Sequence, residues 1–251
     1  MTPVLSARGL DKRFGAVVAA SAIDLEVPAG QRVSLIGANG AGKTTFVNMV
    51  TGYLRPDAGE ILLEGESVAG LSPREVARRG ICRSFQIPQL CVELTARENM
   101  LVACASAEDG ALSFWRRPGE EGREQKARDL LGRFGLAGYA ERPVAELPGG
   151  VRKLLDIAMA LARRPRLLLL DEPTSGVSAE EKFPAMDRIA LAIAGEGSPT
   201  ILFVEHDMDI VRAFSERVVA FYAGRVIADG APAEVLRDAE VRRYVTGEPA
   251  A

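Results

Sequence analysis

Three short stretches of this chain carry residue types spaced for phosphate chemistry. The first is Gly37-Ala38-Asn39-Gly40-Ala41-Gly42-Lys43-Thr44, which fits G-x-x-x-x-G-K-[ST]. Its glycines let backbone N–H groups turn inward around phosphate oxygens. A helix starting near Lys43 adds the positive end of its dipole. Lys43 can then reach the β- and γ-phosphates of a nucleoside triphosphate. The Thr44 hydroxyl can coordinate Mg²⁺, with Thr45 beside it in the same cradle. The second stretch is Leu167-Leu168-Leu169-Leu170-Asp171-Glu172, four apolar residues ending in two acids. A buried strand that delivers Asp171 at its carboxyl end can hold Mg²⁺, directly or through water. Glu172 then lies next to the metal and can polarise an attacking water as general base. The third is His206, the only histidine in the chain. It follows the apolar run Ile201 to Val204 by two residues. That is the edge where ligands bind in open α/β sheets. A side chain there can contact a γ-phosphate and position the attacking water.

These groups need elements that bring them together. Ile23-Asp24-Leu25-Glu26-Val27 alternates with period two, as a strand with one wet face does. Pro28-Ala29-Gly30 breaks it, and Val33 to Ile36 then runs into the Gly-rich turn. Behind the turn, Phe46, Val47, Val50 and Leu54 recur at helical spacing. Strand, Gly-rich turn, helix is a phosphate-binding layout. A turn from Pro56 to Gly59 leads to a strand over Glu60 to Leu63. Residues from about Ile87 to Ala162 read as mostly helical. Within them Ser106 to Glu124, rich in Gly, Glu and Arg, reads as a surface excursion. The last helix of that stretch, roughly Val151 to Arg163, places Leu154, Ile157, Ala158 and Leu161 on one face. Two strands follow, Arg166 to Leu170 and Thr200 to Val204, with a helix between them. Bare apolar runs bounded by helices imply a parallel sheet covered on both faces. Val218 to Tyr222 and Val226 to Asp229 flank Ala223-Gly224-Arg225 as a hairpin, and Ala231 to about Val245 reads as an amphipathic helix.

The totals bound the rest. The chain has 251 residues, 47% hydrophobic and 26% charged, the profile of a soluble globular protein. Its net charge of −3 argues against nucleic acid as a partner, because phosphate-backbone binding needs clustered Lys and Arg. No window reaches the roughly 18–20 apolar residues of a membrane helix. The N-terminal residues lack a secretion signal's apolar core. Cys82, Cys91 and Cys104 have no C-x-x-C spacing and read as reduced thiols. Together these readings predict a cytoplasmic protein.

In this order, these motifs resemble the ABC transporter ATPase family over nearly the whole chain. The resemblance implies an α/β fold: a P-loop NTPase (RecA-like) core with a mainly parallel sheet, an N-terminal antiparallel β subdomain and an inserted helical subdomain. It divides the chain into a nucleotide-binding core over 1–86 and 163–230, a helical signature subdomain over 87–162, and a helical tail over 231–251. Phe14 lies where the family places an aromatic that stacks on adenine. Gln86, in Arg83-Ser84-Phe85-Gln86, resembles the family's Q-loop glutamine, which senses Mg²⁺ and γ-phosphate. Glu205-His206-Asp207 is similar to the switch-histidine region, and Ser175-Gly176-Val177-Ser178 stands where the D-loop runs. The signature, usually L-S-G-G-Q, here reads Leu147-Pro148-Gly149-Gly150-Val151. Both glycines survive, while the serine and glutamine are gone; the D-loop also lacks the aspartate common in the wider family.

The segments Arg78 to Gln86, Glu98 to Ala103, Val204 to Met208 and Tyr244 to Glu248 resemble the ATPases of branched-chain amino acid importers. That likeness implies ATP and Mg²⁺ as cofactors. It implies a head-to-tail pairing with a second ATPase subunit, identical or homologous, in which Gly149 and Gly150 of one chain cover ATP held by Lys43 and Thr44 of the other. It also implies separate transmembrane permease subunits, a solute-binding protein acting indirectly, and a peripheral place on the cytoplasmic face of the inner membrane. Other classes fit less well. A GTPase should show N-K-x-D, which is absent. A soluble ABC ATPase of DNA repair or translation usually carries two ATPase units or a coiled coil. A degenerate regulatory subunit has only Pro148 and Val151 in its favour.

Overall fold

The computed structural model describes residues 3–108, 120–195 and 197–247. The chain opens with β1 (Leu5–Phe14) and β2 (Val17–Val27), then β3 (Arg32–Gly37) and α1 (Lys43–Val50). β4 (Ala58–Leu63), β5 (Glu66–Ser67), α2 (Pro73–Arg79) and β6 (Ile81–Ser84) follow. The middle holds α3 (Ala96–Ala107), α4 (Glu120–Arg133) and α5 (Gly149–Leu161). Then come β7 (Leu167–Asp171), α6 (Lys182–Ile193), β8 (Thr200–Val204) and α7 (Met208–Phe214). The chain ends with β9 (Arg217–Tyr222), β10 (Arg225–Gly230), α8 (Pro232–Val235) and α9 (Ala239–Val241).

Two sheets form. One is antiparallel, in the order β2-β1-β4-β5; the other has six strands in the order β10-β9-β3-β8-β7-β6. In the second sheet every pairing is parallel except that of β10 with β9. The four-leucine run shows why it is apolar throughout. Leu167 and Leu169 pack with β3, α1 and the antiparallel sheet, while Leu168 and Leu170 face α3, α4 and α5. A strand covered on both faces has no wet side on which to place polar residues.

Several local expectations need correction. α1 ends at Val50, so Leu54 lies beyond it; Gly52 takes φ +76 and turns the chain. The hairpin turn has two residues, because Arg225 already belongs to β10. Ala223 and Gly224 both take positive φ (47 and 77), the backbone of a tight two-residue turn. The tail is not one helix. Asp238 accepts bonds from the N–H groups of Glu240 and Val241, so it caps a new helical start and breaks the run. α9 then passes into a π-helical turn over Arg242–Thr246. Ser106 and Ala107 belong to α3, and Glu120 to Glu124 open α4. The rest of the expected excursion, residues 109–119, lies outside the described residues. α2 is an additional element beyond those read from the sequence pattern, although its signals are in the sequence. Ser72 and Glu75 form a reciprocal capping box, Pro73 opens the helix and Gly80 closes it at φ +107.

Among the described residues no helix is long and apolar enough to cross a membrane. All three cysteines are free thiols, and burial pushes Cys82 up to about 11.

Leu155 is fully buried on α5, among the residues that join the helical layer to the sheet. Leu155→Ala is expected to cost about 2–5 kcal/mol, read as a lower urea midpoint in equilibrium unfolding.

Candidate functional site

The sheet order decides which loops meet. β3, β8, β7 and β6 are consecutive neighbours, and all run the same way. Their carboxyl ends therefore open on one edge. From β3 comes the loop Gly37 to Thr44; from β8, Glu205 and His206; from β7, Asp171 and Glu172; from β6, Gln86 two residues beyond Ser84. A cavity of about 230 Å³ collects them, lined by residues 39–45 with Gln86, Asp171, Glu172, Val204 and His206.

The loop is shaped by close packing. Gly42 precedes α1 with φ +106, and a Cβ there would stand 2.6 Å from the Ala19 carbonyl oxygen and 3.2 Å from the Gly224 Cα. Only glycine fits both that dihedral and that space. Lys43 is buried, and its Nζ donates to the carbonyls of Gly37 (2.5 Å) and Ala38 (3.1 Å). Burial lowers the Lys43 pKa, while the Glu172 and Asp171 carboxylates pull it back up. Lys43 thus arches over its own loop, with its ammonium turned to the hollow that phosphate oxygens would fill.

On the opposite wall Glu172 has a distinctive setting. Its φ is +46, a left-handed conformation unusual for a glutamate. The surroundings enforce it: the Glu172 N–H donates to the Val204 carbonyl (3.0 Å). Gln86 Nε2 donates to Glu172 Oε2 at 2.9 Å, and His206 Nε2 lies 3.1 Å from Oε1. Backbone strain that the surroundings over-determine is a mark of working sites. A carboxylate held at both oxygens is oriented so that it can accept a proton from a water aligned on the cavity side.

Asp171 is nearly buried and its Oδ2 accepts from Arg83 at 2.5 Å. Arg83 also donates to Asn48 Oδ1 (2.6 Å) and lies over the Phe85 ring. Thr44, Asp171 and Gln86 bring oxygen donors to the one pocket, the ligand type a hard divalent cation takes. Behind His206, Glu205 is buried and accepts from the Thr174 N–H (3.1 Å), the Thr174 hydroxyl (2.7 Å) and the His206 N–H (3.2 Å).

Some expected site residues lie elsewhere. Phe14 does not line this cavity. It stands at the end of β1, 51% exposed, with Lys12 Nζ 5.8 Å from its ring centre. Gly149 and Gly150 do not line it either. They begin α5 and abut Gly176 and Val177 of the same chain: a Cβ on Gly149 would meet the Gly176 carbonyl at 3.7 Å. Pro148 occupies the cap position with no side-chain bond to the helix, and Val151 packs into the helical core.

Four residues were not singled out from the sequence: Arg83, Lys153, Asp156 and Glu205. Lys153 and Asp156 left a readable trace, being charges set inside the apolar stretch Leu154 to Leu161 and its flank, where a buried charge demands a partner. Arg83 and Glu205 left none, since their partners lie far away in sequence.

The sequence profile of the ABC transporter family matches residues 20–175. The chain is 36% identical over 252 residues to the high-affinity branched-chain amino acid transport ATP-binding protein BraF of Pseudomonas aeruginosa, covering 98% of each. It is 36% identical over 253 residues to LivG of Escherichia coli, a protein of the same description, again covering 98% of each. Among solved structures, the ADP conformation of an ATP-binding cassette of an ABC transporter superposes with a TM-score of 0.84 at 31% identity, covering 97% of this chain and 98% of that one. A dimeric cassette in a post-hydrolysis state, bound to ADP and phosphate, superposes with a TM-score of 0.78 at 26% identity, covering 91% of this chain and 98% of that one. The chain belongs to the ABC transporter family. Within it, this is an ATP-binding, ATP-hydrolysing subunit with the α/β fold of P-loop NTPases.

Gly42→Ala is expected to weaken ATP binding at least about tenfold, because the new Cβ must displace the Ala19 or Gly224 backbone, and to lower the melting temperature through a strained φ. Titration of a fluorescent ATP analogue against wild type reads the first effect and a thermal melt the second.

Proposed function

We propose that this chain powers uptake of a branched-chain amino acid or a related small solute. It would work as one of two ATPase subunits at the cytoplasmic face of the membrane, below separate permease subunits that receive solute from a binding protein. The observation that carries the motor reading is the Glu172 carboxylate, strained at φ +46 and gripped by Gln86 and His206 beside the phosphate loop. The solute class rests on the 36% identity, over 98% of each chain, to BraF and LivG.

In this reading the N–H groups of residues 37–45 wrap the phosphates, and Lys43 leaves the Gly37 and Ala38 carbonyls for the β- and γ-phosphate oxygens. Mg²⁺, held by Thr44 with Asp171 and Gln86, supplies Lewis-acid neutralisation of the phosphate charge when bound. Glu172 orients the attacking water and takes its proton as the water oxygen bonds to the γ-phosphorus and the bond from that phosphorus to the β–γ bridging oxygen breaks, releasing ADP and inorganic phosphate. His206 holds Glu172 through Oε1 and stands where the γ-phosphate ends. Phe14, exposed and outside the small cavity, offers its ring to the adenine.

The same reading makes the site half of a pair. Gly149 and Gly150 lie outside the pocket of their own chain, and no side chain caps the helix they begin. That N-terminus, with its N–H groups and positive dipole end, is suited to cover the γ-phosphate of a second copy or a homologous subunit. ATP then draws the two chains together, and hydrolysis removes the group that holds them. A specific observation also favours a second reading, a subunit that binds ATP and turns over poorly: Pro148 supplies no hydroxyl at the signature.

Glu172→Gln should lower Mg²⁺-dependent ATP hydrolysis about 10²–10⁴-fold while leaving ATP affinity within about threefold. EDTA should abolish wild-type turnover. Phe14→Ala should weaken ATP binding by roughly tenfold, the value of one lost base stack. Wild-type turnover abolished by Glu172→Gln supports the motor. An inactive wild type that binds ATP and gains turnover on Pro148→Ser supports the second reading. Absence of ATP binding overturns both.

A further inference from the structure

The helix that begins with Gly149 and Gly150 carries two buried charges for which the hydrolysis chemistry has no use. Lys153 is 2% exposed and Asp156 is 6% exposed. Lys153 Nζ donates to the Phe85 carbonyl (2.6 Å) and to the Asp171 carbonyl (2.6 Å). Asp156 Oδ2 accepts from the Phe85 N–H (3.0 Å), and its Oδ1 accepts from the Gln89 N–H (3.3 Å). The residues between those two N–H groups are Gln86, Ile87 and Pro88. One carboxylate on α5 therefore holds both ends of the short loop that carries Gln86. One ammonium, three residues earlier on the same helix, holds the start of that loop and the end of β7.

Burial lowers the Lys153 pKa and raises that of Asp156, and each charge partly offsets the other. Desolvating two charges is costly unless each is hydrogen-bonded. Apolar side chains would fill the space at lower cost, so the pair is poorly explained as packing. What it does achieve is geometric. Lys153 stands one helical turn beyond Gly149, so a displacement of the Gln86 loop is passed along a rigid helix to its first residues. At the other end, Gln86 reports on Glu172 through its 2.9 Å bond.

We propose that Lys153 and Asp156 are positioning residues that couple the Gln86–Glu172 contact in one active site to the N-terminus of α5. This rests on the reading above, in which that N-terminus covers the nucleotide of a second chain. The pair does not line the phosphate cavity; it fixes how far and in which direction Gly149 and Gly150 move when Gln86 changes partner.

The test uses the full chain with Lys153→Met, Asp156→Asn and the double variant. ATPase kinetics are measured with hydrogen exchange of segments 37–45, 84–90 and 147–152, with and without MgATP. Wild type is expected to gain protection in all three segments on MgATP. In each single variant, protection at 37–45 should persist while the gain at 147–152 is lost and kcat falls about tenfold with KM within threefold, the size of a typical coupling between sites. The double variant should lose no more than the worse single variant, because one device is being broken. Wild-type kcat together with wild-type protection at 147–152 in both single variants overturns the proposal. So does loss of protection at 37–45, which would make the pair a support of the fold alone. Wild type that gains protection at 37–45 but none at 147–152 overturns instead the paired-site reading on which the proposal stands.

Discussion

β7 pairs in parallel with β8 on one side and with β6 on the other, and β8 pairs in turn with β3. The rest of the site depends on this register. Parallel strands need long crossovers, so the chain must leave the sheet between them, and each departure falls on the same edge. Asp171 stands opposite Val204, one residue before the turn into Glu205 and His206. Leu170 stands opposite Ser84, just before the loop bearing Gln86. A slip of one residue would turn Asp171 to the other face and break these contacts together.

The charges follow from that convergence. Lys43, Arg83 and Lys153 face Asp171, Glu172 and Glu205 within a region where several of these groups are buried. Each is hydrogen-bonded: Lys43 to two carbonyls, Arg83 to Asn48 and Asp171, Lys153 to the Phe85 and Asp171 carbonyls, and Glu205 to Thr174 and His206. Such a network stores directionality. Both oxygens of Glu172 are engaged, by Gln86 and His206, and its backbone is held at a left-handed φ, so the carboxylate has one fixed direction in the cavity.

The molecule is asymmetric in what it completes. The phosphate loop, the two carboxylates, Gln86 and His206 share one cavity, whereas Gly149 and Gly150 lie outside its lining and abut Gly176 and Val177. The helical layer is joined to the core by apolar packing through Leu155 and its neighbours, and by the two polar anchors Lys153 and Asp156. Apolar packing tolerates sliding, while charged hydrogen bonds hold a fixed direction.

How much was legible depended on the range of the interaction. The Gly-rich loop, the buried leucine strand ending in Asp171-Glu172 and the strand Thr200–Val204 were legible because spacing and apolar runs are local signals. The broken tail escaped because an apolar pattern does not register a capping aspartate such as Asp238. The end of α1 depended on one positive φ, at Gly52, and the final hairpin on two, at Ala223 and Gly224. By itself the sequence determined the class of chemistry, since only certain residue types at certain spacings can cradle phosphate or hold a metal. The tertiary structure alone decided who touches whom: that Gln86 and His206 grip Glu172, that Arg83 holds Asp171, and that Phe14, Gly149 and Gly150 lie outside the cavity. Those contacts join residues up to 88 positions apart. They exist because strand order folds distant segments onto one edge, which no local pattern encodes.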